Sequence, residues 1–129
     1  VADWRVANEA GQKLKKQDGK PLPTLALVEN PDILATLSQR KTQRPRLVIG
    51  FAAETESLLE NAKAKRSRKG CDWIVANDVS PGTGTFGGTR NTVHLLAGDS
   101  FEDWPTATKE EVADRLARRI AEALNGGGR

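Results

Sequence analysis

The chain has 129 residues, 37% of them apolar and 29% charged, with a net charge of +3, which suits one modest folded domain with a single core. No apolar run approaches the roughly 20 residues of a membrane span. Nothing resembles a signal peptide, and the single cysteine, Cys71, excludes an intrachain disulfide and suits a reducing cytoplasm. The charge is unevenly spread: residues 1–70 hold 14 Lys and Arg against 8 Asp and Glu, whereas residues 71–129 hold 6 against 9. An anionic ligand is therefore to be sought in the first half. There is no methionine, so the chain reads as a fragment of something longer.

In chain order, VADW reads as the end of a buried strand, and residues 5–23, punctuated by Gly11, Gly19, Pro21 and Pro23, as an extended flap. TLALVE (24–29) is a candidate strand. PDILATLSQR follows as a helix, with Asn30 as N-cap and Pro31 at the first helical position. RLVIGF (46–51) and DWIVAN (72–77) are nearly continuous apolar runs, as in strands covered on both faces. Between them a helix runs from Glu56 to a stop at Gly70. After the loop SPGTGTFGGTR comes the strand NTVHLLA (91–97). The last helix opens with the capping box Thr108–Glu111 and carries Val112, Leu116, Ile120 and Leu124 as one stripe. The order predicts an α/β, Rossmann-like three-layer domain with a mostly parallel sheet, an extended flap and a mixed or antiparallel edge. The domain is expected over residues 1–125, with 126–129 (GGGR) a disordered tail.

The densest cationic stretch is KAKRSRKG (63–70). On the helix from Glu56, the positions Leu58, Ala62, Lys65 and Lys69 follow the spacing of an apolar stripe whose last two members are lysines. A helix that overruns the sheet edge hangs both ammonium groups over a cleft. Lys63 and Arg68 fall off the row and are expected in solvent. Spacing alone leaves a second reading open, in which these lysines complement the helix dipole or snorkel over the core edge. The other candidates are KLKK (13–16) on the flap, the helix start NPD (30–32), and polar residues closing apolar runs: Asp3, Glu54, Thr55, Asn77 and Asp78. Each has an ordinary structural explanation as a solvated run, a capped helix or a turn. There is no Walker sequence and no GxGxxG, no Cys/His cluster for zinc, and no nucleophile–base pair. His94 and Cys71 read as structural.

Taken together, VADWR, KLKK, NPDIL, VIGFAAET and KAKRSRKGCDWIVANDV resemble the phosphopantothenate–cysteine ligase family over residues 1–124. The resemblance implies a CTP-dependent ligase of coenzyme A synthesis, often fused in bacteria to a phosphopantothenoylcysteine decarboxylase. It activates 4′-phosphopantothenate as an acyl-cytidylate, and cysteine then displaces CMP. It also implies that Asp3, Pro31, Asp32, Ile33, Leu34, Phe51, Lys65 and Lys69 contact CTP. Lys13 is the flap lysine implicated in the cysteine-dependent step and in nucleotide contact. Mg²⁺ is expected with CTP, no protein-held metal is expected, and FMN is expected only if a decarboxylase is fused. The family begins with a half this chain lacks, so the fragment is expected to be inactive alone. A cytoplasmic homodimer that binds neither nucleic acid nor membrane follows. The rival readings are a basic nucleic-acid-binding module, disfavoured because aromatics are few and Tyr is absent, and a structural dimerisation domain.

Overall fold

The computed structural model describes residues 2–7, 18–19, 21–22, 24–82 and 88–126. These form two units, Val1–Asp32 and Ile33–Arg129. Lys13, most of the expected flap and the tail 127–129 lie outside the described residues.

The first unit holds an antiparallel pair, β1 (Trp4–Val6) and β2 (Leu27–Glu29), with Arg5 opposite Val28. The Asn30 N–H donates to the Asp3 carbonyl and the Asn30 amide to the Ala2 carbonyl, while the Arg5 guanidinium donates to the Glu29 carbonyl and the Asn30 side-chain oxygen. Two expectations change here. The start of the chain is not a buried strand end: Trp4 is 55% exposed and Leu27 56% exposed, because a pair of three-residue strands has no layer to cover it within the unit. Asn30 is not a helix cap, since its side chain is spent closing this ribbon and the next helix begins three residues later.

In the second unit, α1 (Ile33–Ser38) precedes a sheet built from β3 (Ile49–Glu54), β4 (Trp73–Asp78), β5 (Arg90–Ala97), β6 (Ser100–Asp103) and β7 (Ala107–Thr108). The helix α2 (Leu58–Lys69) crosses from β3 to β4, which pair in parallel with Ile49 beside Trp73. β3 starts later than the apolar run suggests. The Val48 N–H is taken by the Asp72 carboxylate at 2.7 Å, and the Val48 carbonyl accepts from Asp72 and Trp73. The α/β class is as expected, but the sheet is not mostly parallel: β4–β5, β5–β6 and β5–β7 are all antiparallel. Only β3 and β4 are joined by a crossover helix; β5 turns straight into β6 through Gly98, whose φ of 59° suits the tight hairpin. β6 and β7 have no apolar alternation to announce them. They lie along successive stretches of β5, with Trp104–Pro105–Thr106 between them, where proline has no N–H for the ladder.

Successive strand residues point to opposite faces, so the sheet carries two cores. On one face Val48, Ala52, Ile74, Ala76 and Leu96 pack with Ala62 and Leu58 of α2 and Leu34 and Leu37 of α1. On the other, Trp73, Val75, Val93, Leu95 and Trp104 pack under Val112, Leu116, Ile120 and Ala123 of α3 (Lys109–Asn125). The result is the expected three layers. α2 ends at Gly70 with φ 81° and α3 opens with the complete Thr108–Glu111 capping box, both as read from the sequence.

α3 is tied down by Arg119. It donates Nε and Nη2 to Glu102, with Nη2 at 2.7 Å from Oε1, and lies over the Trp73 ring at 5.5 Å. The Arg119 hydrogen bonds hold the Glu102 carboxyl below its ordinary value of 4.5, against the opposing effect of burial. A depressed carboxylate stabilises the fold above its unfolded-state pKa, and that contribution is lost as pH falls through the folded one. Glu102→Gln is expected to cost about 1–2 kcal/mol at pH 7. The gap from the parent in urea midpoints should close as pH falls below 4.5; a gap that persists unchanged at low pH contradicts this role.

Candidate functional site

α2 starts where β3 ends and runs back antiparallel to its strands, as a crossover helix must. The turn between them is strained: Ser57 has φ 47° and ψ 43° and gives no side-chain cap to the helix. Asn61 fastens the turn instead, donating its amide to the Glu54 carboxylate and the Glu56 carbonyl. Beyond β4, Asp78 accepts from the hydroxyl and the N–H of Ser80, and the hydroxyl bond chiefly holds the Asp78 carboxyl below its usual range.

β3 has a strand neighbour on one side only among the described residues. Along its other edge several residues marked in the sequence come together. Lys65 lies partly buried on α2 and its Nζ donates to the Phe51 carbonyl at 2.6 Å. The Phe51 ring, 63% exposed, projects from the α3 side of the same strand. Leu34, from the first turn of α1, packs so closely on Gly50 that a methyl group there would sit 2.7 Å from Leu34 Cδ2. Ile33 beside it is 60% exposed. Lys69 is also partly buried, one turn further along α2, whereas Lys63 and Arg68 are exposed as the stripe requires. Lys65 thus reaches the lateral edge of β3, not the carboxyl ends of the strands, because α2 runs back toward the strand starts.

Asp3, Pro31 and Asp32 are exposed in the first unit, where the Asp3 carbonyl is engaged by Asn30. Lys13 lies outside the described residues. His94 is structural: it stacks on Phe101 and its Nδ1 lies 2.6 Å from the Asp103 carboxylate. Cys71 is buried, and desolvation pushes its thiol up, which leaves it a poor nucleophile.

Two residues gain importance only from the tertiary structure. Asn77 and Asn91 lie two positions from Val75 and Val93, so they share the face of the sheet that bears Phe51. Their Oδ1 atoms are buried and accept no hydrogen bond, an arrangement that costs about 1–3 kcal/mol per atom unless a donor arrives. Asn77 was visible as a polar residue at a strand end, but nothing in the sequence singled out Asn91. The edge of β3 therefore offers an ammonium group and an exposed ring, the two unused acceptors lie on β4 and β5 of the face that bears the ring, and there is no acid–base pair among them. An ammonium group beside an exposed ring is chemistry suited to an anionic, ring-bearing ligand.

A family model described as the DNA/pantothenate metabolism flavoprotein C-terminal domain matches residues 1–124. The chain belongs to this family. Among similar proteins, the coenzyme A biosynthesis bifunctional protein CoaBC of Escherichia coli strain K12 is 43% identical over 122 residues, covering 93% of this chain and 30% of that protein. The CoaBC of Haemophilus influenzae is 38% identical over 122 residues, covering 95% of this chain and 30% of the relative. The chain thus spans about 30% of the length of the curated relatives it matches. A crystal structure of the C-terminal domain of CoaBC superposes with a TM-score of 0.63 at 34% identity, over 79% of this chain and 46% of that one. The DNA/pantothenate metabolism flavoprotein from Streptococcus pneumoniae, at 21% identity and a TM-score of 0.55 over 76% of this chain and 42% of that one, shares the fold. As a family member, the chain carries the strained β3–α2 turn and the lysine row inside the matched region. No helix among the described residues is long and apolar enough to cross a membrane.

Proposed function

We propose that this chain is the CTP-binding part of a cytoplasmic phosphopantothenate–cysteine ligase in coenzyme A biosynthesis. The observation that carries the reading is Lys65, held against the edge of β3 beside the exposed Phe51 ring, in a chain similar to the CoaBC proteins. In the reaction so assigned, a carboxylate oxygen of 4′-phosphopantothenate attacks the α-phosphorus of CTP and pyrophosphate leaves. The cysteine amine then attacks the acyl carbon of the acyl-cytidylate, CMP departs, and the amine proton passes to water. Lys65 and Lys69 neutralise phosphate charge, and Phe51 gives the base an apolar surface. Asp3 and the segment Pro31, Asp32, Ile33 and Leu34 contribute nucleotide contacts, and Lys13 serves the cysteine step. Chemistry of this kind needs charge neutralisation and alignment more than a strong base.

In this reading Mg²⁺ enters on the triphosphate as part of the substrate. FMN belongs to this reading only through a decarboxylase in a longer parent. A homodimer is part of it: the ribbon of β1 and β2 exposes Trp4, Leu25, Leu27 and Val28, an apolar surface a second copy can cover.

Titration calorimetry with CTP, UTP and ATP in Mg²⁺ tests the reading. Because the reading assigns CTP, UTP and ATP are each expected to bind at least about tenfold more weakly than CTP. Failure of CTP to bind, or equal affinity for CTP and UTP, counts against it.

A further inference from the structure

At the end of the sheet where β3 and β4 start lies a pocket of about 690 Å³ that the nucleotide reading does not use. Arg46 from the loop before β3, Arg66 from α2 and Arg119 from α3 all line it. Two are anchored by backbone carbonyls: Arg66 Nη1 donates to Gly98, and Arg46 Nη2 donates to Leu124. A guanidinium has five N–H donors, so each anchor fixes the group and leaves most donors for another partner. Arg119 is committed to Glu102 and Glu122.

The acids nearby do not cancel this charge. Asp72 lines the pocket, but its carboxylate is engaged by Arg44 at 3.1 Å and by the Val48 N–H at 2.7 Å. Asp99 stands exposed in the hairpin turn. Among the described residues no carboxylate pairs with Arg46 or Arg66. Two guanidinium groups from distant parts of the chain thus line one pocket, each anchored to a backbone carbonyl and neither paired with a carboxylate among the described residues, and the planar guanidinium fork suits carboxylate and phosphate oxygens.

We propose that this pocket binds a small organic oxyanion, a phosphate monoester or a carboxylate, between Arg46 and Arg66. It lies at the opposite ends of the strands from Asn77 and does not share Lys65, so it is a site separate from the nucleotide edge. Its volume exceeds that of a bare phosphate and leaves room for the organic part.

The test is amide NMR of the full 129-residue chain titrated with phenyl phosphate, benzoate or inorganic phosphate, against sodium chloride at matched ionic strength. Saturable shifts at Asp72 and at Gly98, Asp99 and Ser100 are expected with at least one oxyanion and not with chloride. The preferred probe distinguishes a phosphate site from a carboxylate site. Arg66→Ala and Arg46→Ala are each expected to weaken binding about tenfold, while Lys65→Ala leaves it unchanged. Should Arg66→Ala disturb the whole spectrum, Arg46→Ala alone decides, since that side chain is exposed. No saturable shift up to about 50 mM probe, a dissociation limit near 2 kcal/mol of binding, overturns the proposal. So do shifts reproduced by chloride, or binding lost in Lys65→Ala and retained in both arginine variants.

Discussion

Lys65→Met is expected to weaken CTP binding about ten- to hundredfold while leaving the melting temperature within about 2 °C of the parent. The side chain divides into two parts with separate duties. Its methylene stem lies over the α2–β3 seam, and methionine retains that packing. Its ammonium group reaches the Phe51 carbonyl at the edge of β3, where one N–H is used and two more remain for phosphate oxygens. A charge-assisted bond to a phosphate is worth about 1.5–3 kcal/mol, which sets the size of the effect. Lys69→Ala should lose less, because Lys69 sits a turn further from Phe51. Calorimetry against CTP–Mg²⁺ measures the loss, and a thermal melt separates it from unfolding. Full affinity in Lys65→Met would remove the ammonium group from the proposed site. A large drop in melting temperature would show instead that the lysine serves the fold.

The second large effect is structural. Gly50→Ala is expected to destabilise the chain by about 2–3 kcal/mol, a sizeable part of the roughly 5–15 kcal/mol that holds a domain together. A methyl group at Gly50 would stand 2.7 Å from Leu34 Cδ2, 2.9 Å from Ile74 Cδ1 and 3.4 Å from Cys71 Sγ. Ile74 is fully buried between strands and helices and has nowhere to retreat. Leu34, partly buried in the first turn of α1, must shift its side chain to admit the methyl group. Adding Leu34→Ala should recover part of the loss, giving a non-additive double-mutant cycle in urea unfolding. A cost under about 0.5 kcal/mol for Gly50→Ala would mean that α1 does not press on β3 as described.

Several features were legible because they are local. The capping box at Thr108 and Glu111 needs only residues three apart, and the stop at Gly70 needs only a residue that accepts a positive φ. The lysine row was legible for the same reason: helical spacing placed Lys65 and Lys69 on the partly buried side and Lys63 and Arg68 in solvent. The direction in which that row leads was not legible, because it depends on how α2 lies against β3. Asn30 looks like a cap by identity and position, yet Arg5, Ala2 and Asp3 compete for its polar groups and win. β6 was hidden in SFED, where polar side chains mask a ladder with β5 that only the pairing brings together, with His94 against Phe101 and Asp103.

Sequence by itself determined that this chain is an α/β protein with a basic first half, one crossover helix bearing lysines, and family motifs spread along nearly its whole length. Only the tertiary structure decided that one strand pair is parallel and the rest antiparallel. It alone brought Phe51, Asn77 and Asn91 onto one face and gathered Arg46 and Arg66 at the other end. The physical reason is range. Spacing along a chain reports side-chain direction within an element, whereas strand pairing joins residues tens of positions apart through backbone hydrogen bonds that any sequence can make.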